Sequence, residues 1–183
     1  MLHAFNKENI KTIPTGYESI FFGMGCFWGA EKIFWNIKGV HVTCVGYAGG
    51  QKKYPSYEEV CSGTTNHAEV VKVVYNPEKI KTIELLINFW EGHDPTQGMR
   101  QGNDIGSQYR SMIITSNQSQ KENALNSKVS YETELIKRGF NKITTEILDL
   151  TDFYYAEEYH QQYLFKNPHG YCGLGGCGIT FKK

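Results

Sequence analysis

The sequence predicts a single α/β domain, a two-layer sandwich in which a mixed sheet packs against helices. The chain has 183 residues, 40% of them hydrophobic, which is enough for one sizeable core. Apolar runs with a strand-like pattern alternate along the chain with segments of helical periodicity. Strands and helices interleaved in this way in a short chain are typical of a two-layer α/β fold.

The expected elements follow from periodicity and from residues that begin or end helices. Strands are predicted at 19–22, 40–47, 68–75, 109–115 and 143–150, and helices at 28–37, 82–90, 120–138 and 156–165. The apolar face of the second helix consists of Ile83, Leu86, Ile87 and Trp90. Ser119 and Glu122 have the spacing of a capping box at the start of the third helix, and Gly139 ends it.

Three segments show neither the periodicity of a helix nor that of a strand. Residues 48–67 and 92–108 are rich in Gly, Asn, Thr and Tyr, and irregular loops of this length in a compact domain are more often functional than idle. Five of the nine positions from Gly170 to Gly178 are glycine, so residues 167–183 are predicted to form a mobile arm. We expect residues 1–183 to make one catalytic domain that carries this arm.

The charge balance argues against a polyanionic partner. Nineteen basic residues match nineteen acidic ones, which favours neither nucleic acid nor an anionic membrane surface. The N-terminal residues show no apolar signal-peptide region, and no apolar run approaches the ~20 residues of a membrane span. We therefore expect a cytoplasmic monomer that acts on a small or neutral partner.

Cys26 lies where an apolar strand gives way to a helix, and it is one of five cysteines. An odd number of cysteines in a chain of this length favours redox or metal chemistry over structural disulfides. Gly23 and Gly25 permit a sharp turn before Cys26. The N–H groups of a helix start stabilise a thiolate, so its pKa is expected below the free value of about 8.5. The alternative is a buried structural cysteine.

Glu69 is the candidate proton donor. Period-two alternation puts it on the same strand face as Val71, Val73 and Tyr75, where burial would raise the pKa of its carboxyl group above about 4.3. Such a carboxyl group carries a proton near neutrality and can act as an acid. The alternative is a charge at a strand end that points to water.

Cys172 and Cys177 lie on the glycine-rich arm, whose glycines match G-x-G-x-x-G. A dinucleotide site needs a helix after that motif, but only five residues follow Gly178, so the match is a coincidence. A zinc site with His169 lacks an evident fourth ligand. Two thiols on a flexible arm suit instead a resolving cysteine that approaches a reactive one.

Other candidates are less specific. The polar loop 93–110 is a candidate binding segment because regular elements hold both its ends. His160 is either a base for Cys26 or a surface histidine, within an aromatic segment predicted to pack as a helix. Cys44 is expected to be an apolar core residue, and Cys61 has no discriminating context.

Six blocks of the sequence, in order, resemble one family. They are Gly25-Cys26-Phe27-Trp28-Gly29-Ala30-Glu31, Gly46-Tyr47-Ala48-Gly49-Gly50, Glu59-Val60-Cys61-Ser62-Gly63, His67-Ala68-Glu69, residues 93–110, and Asn167-Pro168 to Gly173. Together they resemble the type A peptide-methionine sulfoxide reductases over most of the chain. The resemblance implies an α/β sandwich related to the ferredoxin-like plan.

The resemblance also implies roles for the site residues. The Cys26 thiolate would attack the sulfur of methionine sulfoxide, S epimer, free or in proteins, and become a sulfenic acid. Glu69 would protonate the departing oxygen, and Tyr57 and Tyr109 would donate hydrogen bonds to it. The substrate pocket would consist of Phe27 and Trp28, which receive the S-methyl group, and Asp104, which binds the polar part.

For the second half-reaction the resemblance implies that Cys172 forms a disulfide with Cys26, which thioredoxin then reduces. A second C-terminal cysteine relays the disulfide in some family members, and Cys177 is the candidate here, although it lies closer to Cys172 than is usual. No cofactor or metal is implied. Two alternatives are a thiol peroxidase, which would not need the apolar pair Phe27 and Trp28, and a zinc-binding or peptide-binding module.

Overall fold

The computed structural model describes residues 1–4 and 6–182. The strands are β1 (Glu18–Gly23), β2 (Val40–Ala48), β3 (Ala68–Tyr75), β4 (Arg100–Gln101), β5 (Asp104–Ile105), β6 (Met112–Thr115), β7 (Glu146–Asp149) and β8 (Phe153–Tyr155). The helices are α1 (Phe27–Phe34), α2 (Tyr57–Cys61), α3 (Thr82–Gly92), α4 (Gln118–Lys137) and α5 (Tyr163–Lys166). This is the single mixed α/β domain that the sequence predicts.

Six of the strands form one mixed sheet in the order β7-β6-β1-β3-β2-β8. All neighbouring pairs are antiparallel except β6 and β7, which are parallel. Strands β4 and β5 form a separate two-stranded hairpin. The carboxyl end of β1 and the amino end of β3 lie side by side at the same end of the sheet, because Phe22 pairs with Val71.

The helices cover one face of the sheet and bury its apolar side chains. The larger core cluster includes Phe22 and Val73 of the sheet, Phe34 of α1, Trp90 of α3 and Tyr131 of α4. Val71, Val73 and Tyr75 alternate toward this cluster, while the opposite face of the same strand carries Val70 into a smaller cluster. The strand β3 is buried on both faces, which explains its nearly continuous apolar sequence.

Most predicted elements are confirmed, with shifted ends. β3 has the predicted bounds, and α1 ends three residues earlier than predicted. The predicted strand 109–115 begins at Met112, because residues 107–109 form a 3-10 turn. The capping box at Ser119 is wrong: α4 begins two residues earlier, where the Asn117 side chain accepts a hydrogen bond of 2.9 Å from the Gln120 N–H.

The predicted helix 156–165 is wrong for most of its length. Residues 153–155 form the edge strand β8, and α5 begins at Tyr163 after Gln162, whose φ is +47°. The Gln161 side chain accepts from the Val45 N–H at 2.8 Å and donates to the Val45 carbonyl at 2.9 Å. These tertiary hydrogen bonds hold residues 156–162 as a turn, and local periodicity gives no sign of them.

Both long irregular segments contain short regular elements, and residues 92–108 contain strands β4 and β5. Residues 48–67 include α2, which begins with a capping box between Ser56 and Glu59.

The arm packs on the rest of the domain near its end. There the Tyr131 hydroxyl donates a hydrogen bond to the Ile179 carbonyl at 3.0 Å, and the Phe181 N–H donates to Glu91 Oε1 at 2.7 Å. The mobility of residues 167–183 stays a prediction.

None of the helices in residues 1–4 and 6–182 has the length and apolar character needed to cross a membrane.

Candidate active site

Cys26 occupies the N-cap position of α1, directly after the turn that follows β1, and is 8% exposed. Gly25 has φ +93°, and a β-carbon there would collide with the Gln101 side chain at 2.7 Å, so glycine is required. The N–H groups of Trp28 and Gly29 hydrogen-bond to the sulfur and lower its pKa. Burial and the charge of Glu69 outweigh them and raise the pKa of Cys26 to about 12. The expectation of a lowered pKa in the free protein is therefore wrong.

Glu69 lies at the start of β3 and is 2% exposed, so the alternative of a solvated charge is wrong. Its Oε2 accepts a hydrogen bond of 3.0 Å from the N–H of Phe27, the residue that follows Cys26. Burial raises the pKa of Glu69 to about 8, against the Phe27 hydrogen bond, which lowers it. The carboxyl group therefore holds a proton at neutral pH beside the candidate nucleophile.

Two tyrosine hydroxyls lie within electrostatic range of Glu69. Tyr57 is the first residue of α2, and Tyr109 ends the 3-10 turn before β6. Burial, followed by other neighbours that include Glu69, raises the pKa of both phenols, which keeps them protonated as hydrogen-bond donors. Tyr57 also hydrogen-bonds to the Cys61 thiol, one helical turn further on.

Phe27 and Trp28 project from the first turn of α1 into an aromatic cluster. Phe27 is 1% exposed and its ring centroid lies 5.0 Å from that of His160. The Trp28 indole stacks on Tyr163 at 3.9 Å, and its Nε1–H donates to His160 Nδ1 at 3.0 Å. The stacking contact and the hydrogen bond together restrict rotation of the Trp28 side chain, which is half-buried.

His160 packs against Phe27 and Trp28, and it has neither of the two roles that the sequence suggested. It is 1% exposed, so it is not a surface histidine. Its Nδ1 accepts the Trp28 hydrogen bond, so its proton is on Nε2, which lies 4.0 Å from Glu157 Oε2 without a hydrogen-bond partner in the described part of the chain. Burial lowers its pKa and keeps the ring neutral. His160 positions Trp28, a role that sequence separation hides.

The β4–β5 hairpin and the glycine-rich arm also lie beside the candidate site. Asp104 of β5 accepts a hydrogen bond of 3.3 Å from the Tyr171 hydroxyl. Next along the arm, Cys172 is exposed, and a β-carbon added at Gly29 would lie 3.1 Å from its Sγ atom. Cys172 therefore lies over the first turn of α1, where Cys26 is the N-cap. Both cysteines are free thiols here.

The remaining cysteines lie in different surroundings. Cys44 is fully buried, as expected of a core residue. Cys177 is half-buried and hydrogen-bonded to Asp94, and burial followed by the charge of Asp94 raises its pKa to about 12. In the described residues, no group of three or more His, Cys, Asp or Glu side chains is arranged to hold a metal ion.

A protein-family model and several relatives match most of the chain. The family model "Peptide methionine sulfoxide reductase" matches residues 18–176. "Peptide methionine sulfoxide reductase MsrA" of Pseudomonas aeruginosa (strain LESB58) is 61% identical over 166 residues, which are 91% of this chain and 77% of that relative.

Two solved structures are also similar. Methionine sulfoxide reductase A of Corynebacterium diphtheriae has a TM-score of 0.89 and 44% identity, over 99% of this chain and 89% of that one. Mxr1 from Saccharomyces cerevisiae, in complex with Trx2, has a TM-score of 0.60 and 25% identity, over 96% of this chain and 97% of that one.

Proposed function

The chain belongs to the peptide methionine sulfoxide reductase family, and we propose that it reduces methionine sulfoxide with Cys26 as nucleophile and Glu69 as acid. One observation carries this assignment of roles. The N–H of Phe27 donates to Glu69 at 3.0 Å, so a buried carboxyl group with a pKa of about 8 is fixed one residue from the candidate thiol. A proton donor in that position is what loss of the sulfoxide oxygen requires.

In the first step the Cys26 sulfur attacks the sulfur of the sulfoxide and takes over its oxygen. The products are methionine and a Cys26 sulfenic acid, so the substrate sulfur gains two electrons and the Cys26 sulfur loses two. The thiol proton ends on the transferred oxygen after relay through Glu69. Tyr57 and Tyr109, protonated because their pKa values are raised, donate hydrogen bonds to the oxygen as its negative charge grows.

Substrate binding uses Phe27 and Trp28, which we call the aromatic wall, and the β4–β5 hairpin. The face of Trp28 that His160 and Tyr163 fix, together with Phe27, receives the S-methyl group. Asp104 binds the polar part of the substrate. Selection of the S epimer, by resemblance to the family, follows from which substituent meets the wall and which meets Glu69.

The second step regenerates the thiol. Cys172 attacks the Cys26 sulfenic acid, a disulfide forms and water leaves. Thioredoxin then reduces the disulfide, in keeping with the structure of the related Mxr1 in complex with Trx2. A relay through Cys177 would require its segment to leave the core cluster and its thiol to leave Asp94.

We also propose a ferredoxin-like arrangement of the sheet and a cytoplasmic location. Strands β1, β2, β3 and β6 lie in the order β6-β1-β3-β2, with α1 and α3 as the two crossovers, which is consistent with the ferredoxin-like plan. A cytoplasmic location suits thiols that must return to the reduced state. We expect one monomeric catalytic domain of residues 1–183 with a mobile arm at 167–183.

Two measurements test this proposal. One is the activity of the C26S variant on methionine sulfoxide, and the other compares turnover with methionine sulfoxide and with hydrogen peroxide. We expect the wild-type protein to form methionine from methionine sulfoxide with thioredoxin, and C26S to lose this activity at least about 1000-fold, since the nucleophile is gone. Sustained turnover with hydrogen peroxide but none with methionine sulfoxide would favour a thiol peroxidase. Mass spectrometry after one turnover identifies the disulfide partner of Cys26, and a partner other than Cys172 would contradict the second step.

A further inference from the structure

Tyr54 holds a backbone conformation that tyrosine rarely adopts. It lies in the loop between β2 and α2 with φ +51°, in the left-handed region that favours glycine. Its side chain is 84% exposed, so burial does not compensate this strain. A strained residue that persists without burial points to a function of the side chain itself.

The loop around Tyr54 is fixed on both sides. Before it, His67 Nε2 hydrogen-bonds to the Lys52 carbonyl at 2.7 Å. After it, Ser56 and Glu59 form the capping box that begins α2, with the Ser56 N–H donating to Glu59 at 3.0 Å. The strained conformation of Tyr54 is therefore imposed by its neighbours, and the ring is presented in a defined position.

The Tyr54 ring forms one side of an aromatic surface at the outer strand of the sheet. Its ring meets that of Tyr154 of β8 edge-on at 5.4 Å, and Tyr154 in turn meets His67 at 5.6 Å. A cavity of about 300 Å³ is lined by Tyr54, Pro55, Phe153, Tyr154 and Tyr155. We call Tyr54, Pro55 and Tyr154 the aromatic shelf. β8 is the last strand on this side, so its outer edge adjoins the shelf.

The aromatic shelf lies on the same face of the sheet as Glu69. Tyr154 pairs with Tyr47 of β2, and Tyr47 pairs with Glu69 of β3. Directly paired residues share a sheet face, so Tyr154 lies on the Glu69 face at two strand spacings, about 10 Å away. Tyr57 follows Tyr54 by three residues. An extended polypeptide advances about 3.3 Å per residue, so three residues span the distance between the Glu69 and Tyr154 backbones.

We propose that the aromatic shelf binds the polypeptide that flanks the oxidised methionine, and that Tyr54 favours peptide substrates over free methionine sulfoxide. This rests on the proposed function. A sulfoxide within a polypeptide brings flanking residues with it, whereas the free amino acid ends before it reaches the shelf. Aromatic rings of fixed orientation suit an extended chain of varied sequence, because they offer contact area at little entropic cost.

The test compares two substrates and two variants. The substrates are free L-methionine sulfoxide and a heptapeptide with methionine sulfoxide at its fourth position and apolar residues beside it. Y54N removes the ring and keeps a residue that tolerates positive φ, while Y54F keeps the ring. We expect the ratio of kcat/KM for the heptapeptide to kcat/KM for the free amino acid to fall about five- to tenfold in Y54N, through KM, and to stay at the wild-type value in Y54F.

The matched control is Y17N, because Tyr17 precedes β1 whereas Cys26 follows it, at the opposite end of that strand. Its ratio is expected to equal that of the wild type. An unchanged ratio in Y54N, or an equal loss on both substrates, would overturn the role of the shelf and leave the proposed function standing. Absence of turnover with either substrate in the wild type would instead contradict the proposed function.

Discussion

The two halves of the candidate site differ in how they are held. Cys26 lies at a helix start and Glu69 on a strand; both are at most 8% exposed, and they are linked through the Phe27 N–H. Cys172 belongs to the glycine-rich arm, is exposed, and meets the site through Gly29. Oxygen transfer needs fixed geometry and an environment that raises the pKa of an acid. Disulfide formation, followed by presentation to thioredoxin, needs a thiol that can leave the first one.

The largest expected effect comes from removing the Cys172 thiol on the arm, a change that leaves the buried half of the site intact. In C172S the first methionine is expected to form at the wild-type rate, because Glu69 and Cys26 are untouched. Turnover with thioredoxin is expected to stop after about one methionine per enzyme, since the sulfenic acid has no partner. The measurement is methionine formed against enzyme concentration, by chromatography.

C177S is the matched control for that prediction, because Cys177 lies on the same arm but is held by Asp94. Retained turnover in C177S indicates direct reduction of the Cys26–Cys172 disulfide. Arrest after one turnover in C177S would establish a relay. Sustained turnover in C172S would show that another thiol, such as Cys61, resolves the sulfenic acid.

The next effect concerns the buried half. E69Q keeps the shape of the side chain but removes its proton, and we expect the single-turnover rate to fall about 100- to 1000-fold. Because the acid form of Glu69 exists below its pKa of about 8, the wild-type rate is expected to decline as pH rises through 8. The decline is expected to be absent in E69Q. Rapid-quench measurement between pH 6 and 9 checks both, and a full rate in E69Q would remove Glu69 from the acid role.

The smallest effect is on stability and concerns Glu31, on the helix that Cys26 begins. Its carboxyl group is fully buried, accepts from Thr43 Oγ1 at 3.0 Å and the Gln162 N–H at 2.8 Å, and burial raises its pKa from 4.5 to about 7. A raised acid pKa means that the folded state binds more protons between pH 4.5 and 7. The contribution to stability is therefore full below pH 4.5 and is lost as pH rises to 7, by about 3 kcal/mol.

Urea unfolding of the wild type and E31Q between pH 4.5 and 8 isolates this contribution. We expect the free energy of unfolding to fall less steeply with pH in E31Q, because glutamine does not titrate. E31Q is expected to be the less stable protein at pH 5, since its amide N–H₂ would face the donor groups of Gln162. Parallel pH profiles for the two proteins would contradict the assignment.

Local patterns predicted the buried half better than the pocket around it. The positions of Cys26 and Glu69 follow from features within ten residues of each, a strand end, two glycines and an alternating face. The contact between Trp28 and His160 joins residues 132 apart in sequence, and no periodicity indicates it. Helix α2 carried a readable sign, the Ser56–Glu59 capping box, which the irregular composition of its loop obscured.

The pKa of Cys26 shows why a correct position did not give a correct electrostatic prediction. The helix-start N–H groups do act on the sulfur, as the sequence indicates. The sequence does not reveal the extent of burial, and burial has the larger effect. The helix at 156–165 failed for a related reason, since the hydrogen bonds of Gln161 to β2 outweigh a local preference.

The arm is tied at both ends, by α5 on one side and by the Tyr131–Ile179 hydrogen bond on the other. It is therefore a tethered strap of about a dozen residues, and a thiol on such a tether has an effective concentration on the order of millimolar at its target. A newly formed sulfenic acid is thus captured within the molecule before a second oxidant converts it irreversibly to the sulfinic acid. The strap thereby limits irreversible oxidation of the sulfur on which every catalytic cycle depends.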